Sequence, residues 1–148
     1  MAEKVLVSDL ERAGLSDLVE VDSFGTGDWH VGGGMDPRAA STLRVHGYLT
    51  HHTARQFAHE ALATRDLILA MDLDNMDVLR RVVDQYGQEY GFDMSRLRLF
   101  RSFAPGTGSH PEVPDPYYGG DDGFTAVLNM VEAASKGLIG ELAARLRR

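Results

Sequence analysis

The run DLILAM, residues 66–71, decides how the rest of the chain is read. Behind one acid it is apolar without interruption, the pattern of a strand covered on both faces. Directly after it, Met76, Leu79, Val83, Tyr86 and Tyr90 recur at helical spacing and predict a helix over about 73–90 with those residues on one side. LRLF, 97–100, then reads as a second short strand. Upstream, Ala2, Val5, Leu6 and Leu10 share one face of a helix over 2–13, and Gly14 stops it. LVEVDS, 18–23, alternates Val19 and Val21 with acids and predicts a strand, followed by the glycine-rich loop FGTGDWHVGGG, 24–34. Asp36 as N-cap, Pro37 at the first helical position and Gly47 at the far end mark another helix. Gly, Pro, Ser and Thr fill a loop through 120. A closing helix over 122–147 then stripes Phe124, Val127, Leu128, Val131, Leu138 and Leu142 toward the core.

Helix and strand alternate, so the expected fold class is α/β, a mostly parallel twisted sheet with helices on both faces. A ligand site then lies beyond the carboxyl ends of the strands, where the loops after Ser23, Met71 and Phe100 emerge. The N-terminus of the first helix is a natural cradle for an anion at that end. The chain opens on a helix, with no strand to feed it.

At 148 residues, with 43% hydrophobic and 25% charged residues, the chain fits one globular domain. A net charge of −7 argues against a nucleic-acid-binding surface, which needs a basic footprint. It does not exclude a small anionic substrate, since a pocket can be locally positive. No apolar run is long enough to span a bilayer and no signal-peptide pattern opens the chain, so a cytoplasmic location is expected. There is no cysteine, hence no disulfide, no thiolate metal site and no cysteine nucleophile among these residues.

Chemistry concentrates in PDPYYGGDD, 114–122. Prolines on both sides hold Asp115 on stiff backbone, and Tyr117 and Tyr118 are positioned to wall a pocket. Trp29, in a polar loop, either covers a core edge or joins those tyrosines in an aromatic slot. A fixed carboxyl beside aromatic rings suggests a general acid facing an aromatic substrate, and such an acid needs a nucleophile to work with. Other signals are weaker. GTG, 25–27, follows a strand signal, but His30 stands where a dinucleotide turn needs its third glycine. DLDNMDV, 72–78, breaks calcium-loop spacing at Met76 and reads as a helix cap. The six histidines show no ligand spacing, so no metal site is expected. The Asp121–Asp122 pair favours the start of the last helix.

Together, VDSFGTGDWHVGGGMDPRA, HHTARQF, LILAMDLDN and DPYYGG resemble the low-molecular-weight protein tyrosine phosphatases, bacterial branch, over essentially the whole chain. Members of that family begin with a strand and a Cys-x5-Arg phosphate loop, followed by a helix similar to MAEKVL. The resemblance therefore implies a single domain over 1–148, incomplete at the N-terminus, lacking the first strand, the nucleophilic cysteine and the phosphate-gripping arginine. It implies hydrolysis of phosphotyrosine through a cysteinyl-phosphate, with Asp115 as general acid and base. Trp29, Tyr117 and Tyr118 correspond to substrate-binding walls. Ser23 and His52 correspond to groups that hydrogen-bond the phosphate loop. No metal and no cofactor is implied. The implied partner is a phosphotyrosine-containing protein or an aryl phosphate, with no nucleic acid and no membrane. Without a nucleophile the 148 residues are expected to be inactive. The alternative is a catalytically dead relative that binds phosphotyrosyl partners.

Overall fold

The structure is a computed structural model and describes residues 1–25, 32–53, 55–108, 111–114 and 121–146, the side chains of 121 and 122 excepted. Its regular elements are α1 (Ala2–Arg12), α2 (Pro37–Val45), β1 (Ile68–Ala70), α3 (Leu73–Tyr90), β2 (Leu97–Leu99) and α4 (Asp121–Leu146). Short 3-10 turns occupy His59–Ala63, Met94–Arg96 and Phe100–Phe103.

Helix ends follow local chemistry. The Asp36 carboxylate accepts the N–H groups of Arg38 at 2.8 Å and Ala39 at 3.4 Å, with Pro37 at the first position of α2. Desolvation raises the pKa of Asp36, but these backbone bonds and the Arg38 guanidinium outweigh it and hold the carboxyl below its ordinary value. Asp72 caps α3 through the Asn75 N–H at 2.7 Å, and Gly91 closes that helix at φ +69°, a conformation that glycine adopts without steric cost.

β1 and β2 pair in parallel, Ile68 opposite Leu97 and Ala70 opposite Leu99, with α3 as the crossover between them. Side chains of β1 alternate between two cores, as a pleat requires. Leu67, Leu69 and Met71 pack against the larger core, built from α1, α2 and α4 around Val5, Leu10, Leu43, Leu128 and Val131. Ile68 and Ala70 pack against the smaller one, where α3 contributes Met76, Leu79 and Val83. Helices thus lie on both faces of a parallel sheet, the expected architecture.

Two local expectations are corrected. Residues 18–23 form no strand. Among the described residues, the backbone of 19–24 makes no hydrogen bond, and only Gly25 bridges to the neighbouring segment, by Gly25 N–H to the Arg55 carbonyl and Phe57 N–H to the Gly25 carbonyl, each 2.7 Å. A strand needs a ladder partner, and alternation of side chains cannot supply one. Side chains hold this segment instead. Arg65 makes two hydrogen bonds to the Asp22 carboxylate, with Arg55 at 3.8 Å, and both guanidiniums lie over the Phe24 ring. Second, the DLILAM run is not fully covered: Ala70 is buried, while Leu67, Ile68, Leu69 and Met71 are half-buried. Tyr86 and Tyr90 keep to the side of α3 that their spacing indicates, packing against the smaller core with Met76, Leu79 and Val83; Tyr86 stacks on His59 at 4.0 Å, and the Tyr90 hydroxyl lies 3.0 Å from His59 Nδ1.

α4 buries Phe124, Val127, Leu128, Val131 and Leu138, whereas Leu142 is half-buried. Fully buried Ser135 donates its hydroxyl to Asp9 Oδ2 at 2.7 Å, tying α4 to α1. Tyr48 donates to Glu132 Oε2 at 2.7 Å, and burial together with that carboxylate pushes its pKa up to about 12. The folded value lies above the ordinary 10.0, so this stabilisation is complete below pH 10 and is lost as pH rises through 12. Tyr48→Phe is expected to cost about 1 kcal/mol at neutral pH and to flatten the decline in alkali, measured by urea unfolding at several pH values.

Candidate active site

The first turn of α1 gathers polar groups from distant parts of the chain. The Glu3 carboxylate accepts the Ser23 hydroxyl at 3.3 Å on one oxygen. Its other oxygen lies 3.5 Å from His52 Nδ1 and 3.2 Å from Lys4 Nζ. Ser23 and His52, which the family resemblance names together, therefore meet on one acid. The Met1 amino group belongs to the same surroundings: burial lowers its pKa, the Glu3 carboxylate opposes the shift and Lys4 adds to it. Ser23 reaches this point because the side-chain anchors of Asp22 and Phe24 fix the backbone on either side of it.

A second approach to the same end of the molecule runs through residues 111–114. The Val113 N–H donates to the Met71 carbonyl at 2.7 Å, just past the carboxyl end of β1. The Glu112 side chain accepts the Leu73 N–H at 2.7 Å, and its carbonyl accepts Arg101 Nη1 at 3.1 Å. Met1, Val21, Met71 and Val113 all belong to, or pack against, the larger core, so α1, the 19–25 segment and the 111–114 segment share one hydrophobic base. That places the segment leading to Asp115 at the carboxyl end of the sheet, where an α/β fold carries its ligands.

Asp115, Trp29, Tyr117 and Tyr118 lie outside the described residues. Glu3 and Glu112 were not anticipated. An acid in the first turn of a helix reads as a surface charge favoured by the dipole, and nothing in the spacing around Glu112 links it to Leu73. A groove of about 380 Å³ between α2 and α4, lined by Pro37, Ser41, Val45 and Thr125 among others, holds neither Ser23 nor His52. Among the described residues no three His, Asp or Glu side chains converge to hold a metal, and no helix is long and apolar enough to cross a membrane.

Comparison with known proteins gives the arrangement its relatives. The family model for low molecular weight phosphotyrosine protein phosphatase matches residues 1–148. A low molecular weight protein-tyrosine-phosphatase of Streptomyces coelicolor is 47% identical over 140 residues, covering 94% of this chain and 82% of the relative. Low molecular weight protein-tyrosine phosphatase A of Mycobacterium bovis is 43% identical, covering 100% of this chain and 86% of the relative. Among solved structures, a protein tyrosine phosphatase from Entamoeba histolytica superposes with a TM-score of 0.85 at 31% identity, over 97% of this chain and 87% of that one. With its sequence matched from end to end and its sheet and helices in the same arrangement, the chain belongs to the low molecular weight phosphotyrosine protein phosphatase family.

Proposed function

We propose that this chain is the acid-bearing part of a phosphotyrosine phosphatase, acting as one cytoplasmic domain that is completed by a strand and a Cys-x5-Arg loop encoded ahead of Met1. The observation that carries the reading is unpaired backbone and half-buried aliphatic side chains in two segments. The backbone of 19–24 is unpaired, and β1 pairs only with β2 among the described residues. Val19, Val21, Leu67 and Leu69 meanwhile stay half-buried against the larger core. Unpaired backbone beside half-buried aliphatic side chains suits an additional strand, because one inserted strand satisfies the polar groups and covers the apolar ones together.

In this reading the loop after that strand presents its thiolate at the N-terminus of α1, where helix amides favour negative charge. Sulfur attacks phosphorus, and Asp115 gives its proton to the departing phenolate oxygen. The Asp115 carboxylate then takes a proton from water, whose oxygen attacks phosphorus and releases phosphate and the thiolate. Trp29, Tyr117 and Tyr118 hold the phenyl ring of the substrate, a phosphotyrosyl protein or an aryl phosphate. The pairing of Ser23 and His52 on Glu3 gives the loop a fixed polar seat. The loop amides and arginine neutralise the phosphoryl charge, so no metal or cofactor is assigned a role.

The test begins with the codons in frame before Met1. Expression of a product containing Cys-x5-Arg should yield steady aryl phosphate hydrolysis, while residues 1–148 alone, having no cysteine, should show none above background. A stop codon there, together with phosphotyrosyl-peptide binding by residues 1–148, would favour the non-catalytic binding module instead.

A further inference from the structure

The segment before Asp115 is fastened more firmly than a surface loop requires. Three polar links act on two successive residues. The carboxylate of Glu112 receives the Leu73 N–H at 2.7 Å, the Glu112 carbonyl receives Arg101 Nη1 at 3.1 Å, and the Val113 N–H reaches the Met71 carbonyl at 2.7 Å. Val113 is buried at 5% exposure, and Pro111 beside Glu112 is also buried. The links run to three places: the end of β1, the first residue of α3 and the turn that follows β2.

We infer that Glu112 is a positioning residue, whose carboxylate on the first turn of α3 sets where the chain delivers Asp115. Asp115 follows Val113 by two residues, and two residues of extended chain span at most about 7 Å. Pro114 and Pro116 restrict the backbone at and before each of them, so an anchor at 112–113 passes on direction as well as distance. Capping α3 does not by itself require Glu112, because Asp72 already supplies the N-cap through Asn75. The Glu112 bond joins that helix end to the approach of the acid, which an acid carried within α3 itself would not do.

This inference rests on Asp115 being the general acid, but its test reads structure. In the chain as it stands, NMR follows amide exchange at Leu73 and Val113 and the side-chain carboxyl carbon signal of Asp115. In Glu112→Ala, Val113 exchange should quicken roughly ten-fold, the cost of about one hydrogen bond, and the Asp115 carboxyl signal should move. Glu112→Gln keeps an oxygen that accepts the Leu73 N–H and should restore both. Loss of protection at Leu73 alone, with Val113 and Asp115 unchanged, would reduce Glu112 to a helix cap and overturn the inference. Should Glu112→Ala unfold the domain, Glu112→Asp, whose carboxylate is one methylene short of Leu73, is read in the same way. A moved Asp115 signal in a protein whose extended product hydrolyses nothing would leave the anchor standing and sink the phosphatase reading; hydrolysis with an unmoved signal would do the reverse.

Discussion

Asp115→Asn, made in the product that carries the Cys-x5-Arg loop, is expected to lower kcat toward phenyl phosphate or a phosphotyrosyl peptide by about 10²–10⁴, the usual worth of a placed general acid. An amide is nearly isosteric with the carboxyl but donates no proton to the leaving oxygen, so KM should change little while turnover collapses. The loss in kcat/KM, which reports the step in which the phenol leaves, should shrink as the phenol becomes more acidic, because a stable phenolate leaves without protonation. Rate measurements over a series of substituted phenyl phosphates check this. An equal loss in kcat/KM across the series would mean that Asp115 supports the fold or binds substrate and gives no proton to the leaving oxygen. The wild-type rate should fall at alkaline pH as the acid loses its proton, and that limb should vanish in Asp115→Asn.

Gly137→Ala is expected to be the most damaging single methyl group in the described core. A Cβ at Gly137 would lie 1.9 Å from the Phe103 carbonyl oxygen and 2.8 Å from its carbon. The obstacle is backbone, so no side-chain rotation relieves it; α4 must move away from the Phe100–Phe103 turn, whose Phe100 is 1% exposed. Alanine gains about 1 kcal/mol over glycine inside a helix. Overpacking should outweigh that gain and leave a net loss of about 2 kcal/mol, or roughly 4–8 °C in Tm. Gly140→Ala, on the same helix with nothing within 4 Å of its Cβ, isolates the propensity term and should leave stability unchanged or slightly raised. Equal effects of the two substitutions in thermal melts would show that the close approach of α4 is not maintained in solution.

Much of the fold was legible in the sequence because periodicity and capping act locally. Val5, Leu6 and Leu10 bury the face of α1 that their spacing indicates, Asp36 and Asp72 cap the helices they precede, and α3 runs over the 73–90 that its spacing gives. Residues 18–23 misled because an alternating pattern describes which side chains can be buried, while strand formation depends on a partner elsewhere in the chain. Tyr86 and Tyr90 join Met76, Leu79 and Val83 on one face as their spacing indicates, but that spacing does not name His59 as what stacks on them, since its 3-10 turn carries no strong periodic signal.

The same division runs through the site. Sequence alone determined the chemistry on offer: an acid between prolines, aromatic neighbours, a serine and a histidine in separate segments, and no thiol. Tertiary structure alone decided that Ser23 and His52 share the Glu3 carboxylate and that Glu112 fastens the approach to Asp115 onto α3. Spacing along a chain specifies contacts over one or two turns; contacts across the fold exist only once the cores have set the elements against each other.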